Sequence, residues 1–149
     1  VIDVLIIAPL APEACARPRA AARGGHVRVY MPAATRRWQT QFAAVALEHL
    51  PEGRIEEPLR VDVLAVLARP QRLQRRSDSA GLIWAPVRPD GDNIAKNVMD
   101  GLAFALRDDA QVVQLHVMKT YAEKGAEPRV EVRLRSVPAL PVTAWRETT

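Results

Sequence analysis

Cysteine occurs once in the 149 residues, at Cys15. A lone cysteine cannot form an internal disulfide, which fits a reducing compartment. No histidine or acidic pattern flanks it to suggest a nucleophile, so a plain small residue is expected. Histidine is also sparse: His26, His49 and His116 are scattered, without the spacing of a zinc site. No glycine-rich loop precedes a Lys-Ser or Lys-Thr pair, which disfavours an ATPase or any nucleotide cofactor. The apolar opening Val1 to Leu10 is too short to span a bilayer and carries Asp3. It lacks a basic leader and a small-residue cleavage site, so neither a signal peptide nor a membrane association is expected, and the cytoplasm is the expected compartment.

What remains is a soluble-type composition. Hydrophobic residues at 48% and charged residues at 26% leave enough apolar surface for a core, and the length suits one domain. The formal charge of +4 is unevenly spread. Arginines crowd residues 17 to 37 (Arg17, Arg19, Arg23, Arg28, Arg36, Arg37) and 69 to 76 (Arg69, Arg72, Arg75, Arg76), whereas acids gather near 90 to 109. Basic clusters around an acidic centre suit a polyanion held by its phosphates, although a solvated arginine-rich surface would look the same.

Ile2 to Ala8 reads as a buried strand, ended by Pro9 and Pro12. Pro12 to His26 has no period and is expected to be an exposed basic loop, with Val27 to Tyr30 a short returning strand. Pro32 suits a helix start, and Ala34, Trp38, Phe42 and Val45 recur at helical spacing over about Ala33 to Leu50. Leu59 to Leu67 alternates as a strand, with Leu64 and Val66 suggesting cover on both faces. Arg69 to Arg88 is aperiodic, and Trp84 within it is either a base-stacking residue or a loop anchor. Asp92 to Arg107 reads as a helix with Ile94, Ala95, Val98, Met99, Leu102, Ala105 and Leu106 on its apolar side. Asn93, Lys96, Asn97 and Asp100 form its polar side. Val113, Leu115 and Val117, then Val130, Val132 and Leu134, alternate along two strands. The expected fold is α+β, a small mixed sheet packed by two main helices. One domain is expected over residues 1–136, with residues 137–149 a flexible tail.

Arg88-Pro89-Asp90-Gly91-Asp92-Asn93 places two aspartates where a loop enters a helix. Asp92 is a natural N-cap, and an ion pair to Lys96 one turn later is an ordinary alternative. Neither explains Asp90. A second acidic pair, Asp108-Asp109, follows the same helix. The helix separates its ends by roughly 20 Å at about 1.5 Å per residue, so the pairs meet only if the chain turns back.

The ordered set Asp90-Gly91-Asp92-Asn93-x-x-Lys96, Asp100-Gly101-Leu102, Asp108-Asp109-Ala110-Gln111-Val112-Val113 and Lys119 resembles the signature of the RusA family of Holliday-junction resolvases. Ala16-Arg17-Pro18-Arg19 and Val29-Tyr30-Met31-Pro32 are similar to the family's amino-terminal half, so the likeness runs over roughly residues 2–135. Gly91 stands where relatives often carry an apolar residue. The resemblance implies an endodeoxyribonuclease in which Asp90, Asp92 and Asp109 bind Mg2+ (or Mn2+) and Lys96 assists the chemistry. It further implies a homodimer that cuts four-way junction DNA by paired nicks. Arg17, Arg19, Arg72, Arg75, Arg76 and Lys119 are the expected DNA contacts. The alternatives are a nuclease for other branched DNA, an inactive branched-DNA binder, and a chain whose aspartates are only caps and ion pairs.

Overall fold

In the computed structural model, which describes residues 1–138, a five-stranded mixed sheet carries two helices on one face. Of the residues expected to form a flexible tail, 137–149, those from 139 onward lie outside the described ones. The strands are β1 (Asp3–Ala8), β4 (Leu59–Leu67), β5 (Ile83–Trp84), β6 (Val112–Tyr121) and β7 (Arg129–Ser136), in the spatial order β1-β7-β4-β6-β5. The helices are α1 (Ala33–Leu47) and α2 (Gly91–Leu102), and a separate ribbon pairs β2 (Arg19–Arg23) with β3 (His26–Tyr30). The α+β expectation is met.

Alternation along each strand fixes which side the helices cover. Val61, Val63 and Ala65 of β4 and Val130, Val132 and Leu134 of β7 are buried against Trp38, Phe42, Ile94, Val98 and Leu102. Among the described residues the other face has no helix. There Asp62 receives hydrogen bonds from Arg60 and from Arg135, while Arg133 pairs with Asp3 and Arg129 with Glu131. Burial opposes the charge on Asp62, but those two guanidiniums outweigh it and hold its carboxyl below the usual range. Interlocked charges of this kind let a sheet face water without an apolar cover.

Several expectations need correction. Strand β1 is an edge strand, with Ile6 and Ala8 buried but Leu5 and Ile7 exposed on the open face. The supposed loop before His26 contains β2. Gly24 and Gly25 both adopt positive φ (59° and 77°), which a two-residue hairpin turn requires, and this Gly-Gly signal was readable in the sequence. Helix α1 ends three residues before Leu50, and its buried residues are Thr35, Trp38, Phe42 and Ala46. Helix α2 stops at Leu102 although apolar residues continue. Ala105 and Leu106 are buried because the chain leaves the helix to bridge Ile55: Ile55 N–H donates to Ala105 and Arg107 N–H to Ile55.

Two close approaches seat α2. Asn97, assigned to the polar side, is fully buried; it donates to the Glu13 carbonyl (3.1 Å) and accepts from Gln39 Nε2 (2.9 Å). Gly101 lies so near α1 that a Cβ there would come within 2.8 Å of the Phe42 ring. The segment before β2 is pinned to both helices, by Cys15 N–H on the Asn93 carbonyl and by Trp38 Nε1 on the Ala11 carbonyl. Cys15 is buried beside Asp100; burial first, then that carboxylate, pushes its thiol up, as suits a packing residue.

Candidate active site

Helix α2 begins at Gly91, so Asp90 rather than Asp92 occupies the N-cap position. The Asp90 carbonyl accepts the first helical bond, from Ile94 N–H, but its carboxylate caps nothing. Asp92 sits one residue inside the helix and, among the described residues, accepts only from its neighbour's amide, Asn93 N–H, at 2.9 Å. Both side chains are exposed, and neither forms an ion pair among the described residues. The capping explanation therefore leaves both carboxylates uncommitted. Gly91 between them faces Val117 of β6, where a Cβ would make an ordinary contact at 3.5 Å.

Lys119 holds the approach to this pair. Its ammonium donates to the Val87 and Pro89 carbonyls, 32 and 30 residues away in sequence. A residue expected to touch DNA is thus occupied in fastening β6 to the loop that delivers Asp90. Lys96 lies one turn above Asp92, but it leans the other way and pairs with Asp100 at 3.8 Å. With its side chain 60% exposed, this pair is weakly held.

Asp109 is elsewhere. It lines a cavity of about 250 Å³ with Arg54, Met99, Asp100, Ala103, Leu106, Arg107 and Asp108, beyond the C-terminal end of α2. The twelve residues of α2 span roughly 18 Å at about 1.5 Å each, so the helix separates Asp109 from Asp90. Among the described residues, no group of three acidic, histidine or cysteine side chains is placed to hold a metal. Asp108 has a structural role: its carboxylate accepts from Ala110 N–H while Gln111 Oε1 accepts from Asp108 N–H, a reciprocal cap. The Ala110 amide holds the Asp108 carboxyl below its ordinary range. Gln111 completes the brace by donating to the Ile55 and Glu57 carbonyls.

The basic residues divide in the same way. Arg17, Arg19, Arg72, Arg75 and Arg76 are all exposed. Arg75, however, is held by Asp78, and Lys124 ties down the carbonyls of both. Arg69 does not belong to that surface: it is buried and donates to the Gly81 carbonyl. Trp84 is exposed and, with Leu64, Leu82, Ile83, Met118 and Thr120, lines an apolar groove on the sheet's helix-free face. That groove accounts for the apolar turn seen at Leu64.

An α+β domain with two exposed carboxylates at a helix start, unpaired among the described residues, defines a class of protein suited to phosphate chemistry. The model of the family Endodeoxyribonuclease RusA matches residues 9–135, and the chain belongs to that family. The chain is also 38% identical over 134 residues to the uncharacterized protein YqaN of Bacillus subtilis (strain 168), covering 86% of this chain and 92% of the relative.

Proposed function

We propose that this protein is a divalent-metal-dependent endodeoxyribonuclease that resolves four-way DNA junctions by paired nicks, with Asp90 and Asp92 at the centre of its metal site. The observation that carries the reading is this pair: in a chain of an endodeoxyribonuclease family, both carboxylates stand exposed at the start of α2 without a cationic partner among the described residues. Their chemistry fits the cation. Mg2+ takes oxygen donors, needs few carboxylates, and leaves its other positions to water and phosphate; Mn2+ accepts the same set. When bound, such an ion polarises the scissile phosphate and makes water a stronger acid.

The chain's own residues do the rest. Lys119 fixes the loop ahead of Asp90, Asp92 is carried on a rigid helix, and Lys96 exchanges its exposed Asp100 partner for the phosphate as negative charge develops. Asp109 remains the proposed third carboxylate, brought by a second copy. The outer edge of β6 is paired with β5 at Thr120 and Tyr121 and accepts Ala85 N–H at the Lys119 carbonyl; among the described residues no strand pairs with the remainder, where Val113 and Leu115 stand exposed. An unpaired edge of this kind is a template for another strand. Antiparallel pairing of two β6 strands about a two-fold axis exchanges their ends, carrying Asp109 of one copy toward the Asp90 end of the other. Two such sites suit the two strands of a junction.

The experiment is cleavage of a four-way junction, a fork, a flap and a linear duplex side by side in Mg2+. Symmetric nicking of the junction in preference to the others supports the reading. Preference for a fork or flap replaces it with another branched-DNA nuclease, and binding without cutting replaces it with a binder.

A further inference from the structure

All ten residues of strands β2 and β3 are exposed, so this ribbon stands outside the core and contributes little to it. Its register sorts the side chains, because directly opposed residues of an antiparallel pair share a face. Arg19 opposes Tyr30, Ala21 opposes Arg28 and Arg23 opposes His26. The other face receives the pairs Ala20–Val29 and Ala22–Val27 and bears no charge. Every arginine of the ribbon is therefore on one side.

That side faces a cavity of about 470 Å³ closed by the start of α1 and lined by Ala21, Arg28, Tyr30, Met31, Ala33 and Arg36. Among the described residues, Arg19, Arg23, Arg28 and Arg36 enter no ion pair. Arg60, Arg75, Arg129, Arg133 and Arg135 each have a carboxylate partner. Paired arginines must give up a partner before meeting a phosphate; the ribbon's arginines need not.

We propose that the basic face of the ribbon and the start of α1 form a clamp on the sugar–phosphate backbone of a duplex DNA arm, with Arg23, Arg28 and Arg36 as phosphate contacts. This rests on the reading of the chain as a DNA enzyme. A two-stranded ribbon is slim enough to lie along a duplex groove, and contacts to phosphate position the arm without reading its sequence. The uncharged face leaves only one orientation in which the ribbon meets a polyanion.

The test is equilibrium binding of the full chain to a four-way junction and a linear duplex across a salt series, with EDTA present to prevent cutting. Each phosphate contact contributes about 0.9 to the slope of log affinity against log salt, so Arg23→Ala/Arg28→Ala/Arg36→Ala lowers the slope by about 2 to 3 on both DNAs. The corresponding lysine variant keeps the slope, and Val27→Thr/Val29→Thr on the uncharged face changes neither slope nor affinity. An unchanged slope in the alanine variant overturns the clamp, as does a loss of affinity confined to the valine variant. The two readings fail separately. A wild type that binds with the expected slope but never cuts keeps the clamp and removes the nuclease, whereas cutting by a wild type with a ribbon-independent slope does the reverse. A wild type that binds no DNA removes both.

Discussion

Asn97 of α2 and Gln39 of α1 are joined across the helix interface by a 2.9 Å hydrogen bond, with the Asn97 side chain fully buried. The same amide donates to the Glu13 carbonyl, so one residue ties both helices to the segment leading into the ribbon. Asn97→Ala leaves the Glu13 carbonyl and the Gln39 amide without this partner. A loss of about 1–3 kcal/mol in urea unfolding is expected from buried polar groups left unsatisfied. An unchanged midpoint and slope would show that water or a neighbour replaces the amide.

Gly101→Ala tests the close approach of the helices. A Cβ at 2.8 Å from the Phe42 ring cannot be accommodated by a swinging chain end, because Phe42 is fully buried and stacked on Trp38 at 5.3 Å. Overpacking costs about 1–3 kcal/mol, against roughly 1 kcal/mol of improved helix propensity. Net destabilisation by thermal unfolding is the expected result, and stabilisation would mean that α1 shifts freely.

Glu123 and Arg129 predict a pH dependence. Arg129 donates two hydrogen bonds of 2.9 Å to the Glu123 carboxylate and holds its pKa down to about 2, against an ordinary 4.5. Because the folded value is depressed, the stabilisation is complete above the unfolded value and disappears as the pH falls from 4.5 toward 2. The difference in melting temperature between wild type and Glu123→Gln should be constant near neutrality and vanish over that acid window. A difference that persists at the bottom of the window would assign it to packing.

Delivery of Asp109 by a second copy is checked by mixing Asp92→Asn with Asp109→Asn subunits. If the site is shared, a mixed dimer keeps one intact site, so about one quarter of wild-type sites return under random exchange, and single-strand nicks appear. No nicking above that of either variant alone would place all three aspartates within one subunit.

Most strands of the main sheet were legible because their alternation is strong: β4 falls on Leu59–Leu67 as expected, and β7 follows its valine and leucine rhythm, whereas the two-residue β5 lies within the stretch read as aperiodic. Of the ribbon, β3 matches the short strand expected over Val27 to Tyr30, whereas β2 was hidden because none of its side chains enters the core, leaving no apolar period to detect; only Gly24-Gly25 announced it. Helix α2 was overextended for the opposite reason, since Ala105 and Leu106 are buried by a bridge to Ile55 rather than by helix packing. Much of the motif around the site proves to be structural. Asp108 and Gln111 cap and brace, Gly101 admits α1, and Lys119 fastens a loop. Apart from the local Asp108 cap, those roles depend on partners about 30 to 60 residues away, which spacing alone cannot reveal. Asp90 and Asp92 are what the local structure leaves uncommitted.

The most direct measurement is therefore cleavage of a four-way junction in Mg2+ by wild type and Asp92→Asn, with junction binding in EDTA measured on the same preparations. The account predicts symmetric nicking by the wild type and a fall of about 100-fold or more in the variant, the scale of lost electrostatic stabilisation at a reacting phosphate, with binding retained. Equal cutting by both proteins would contradict it.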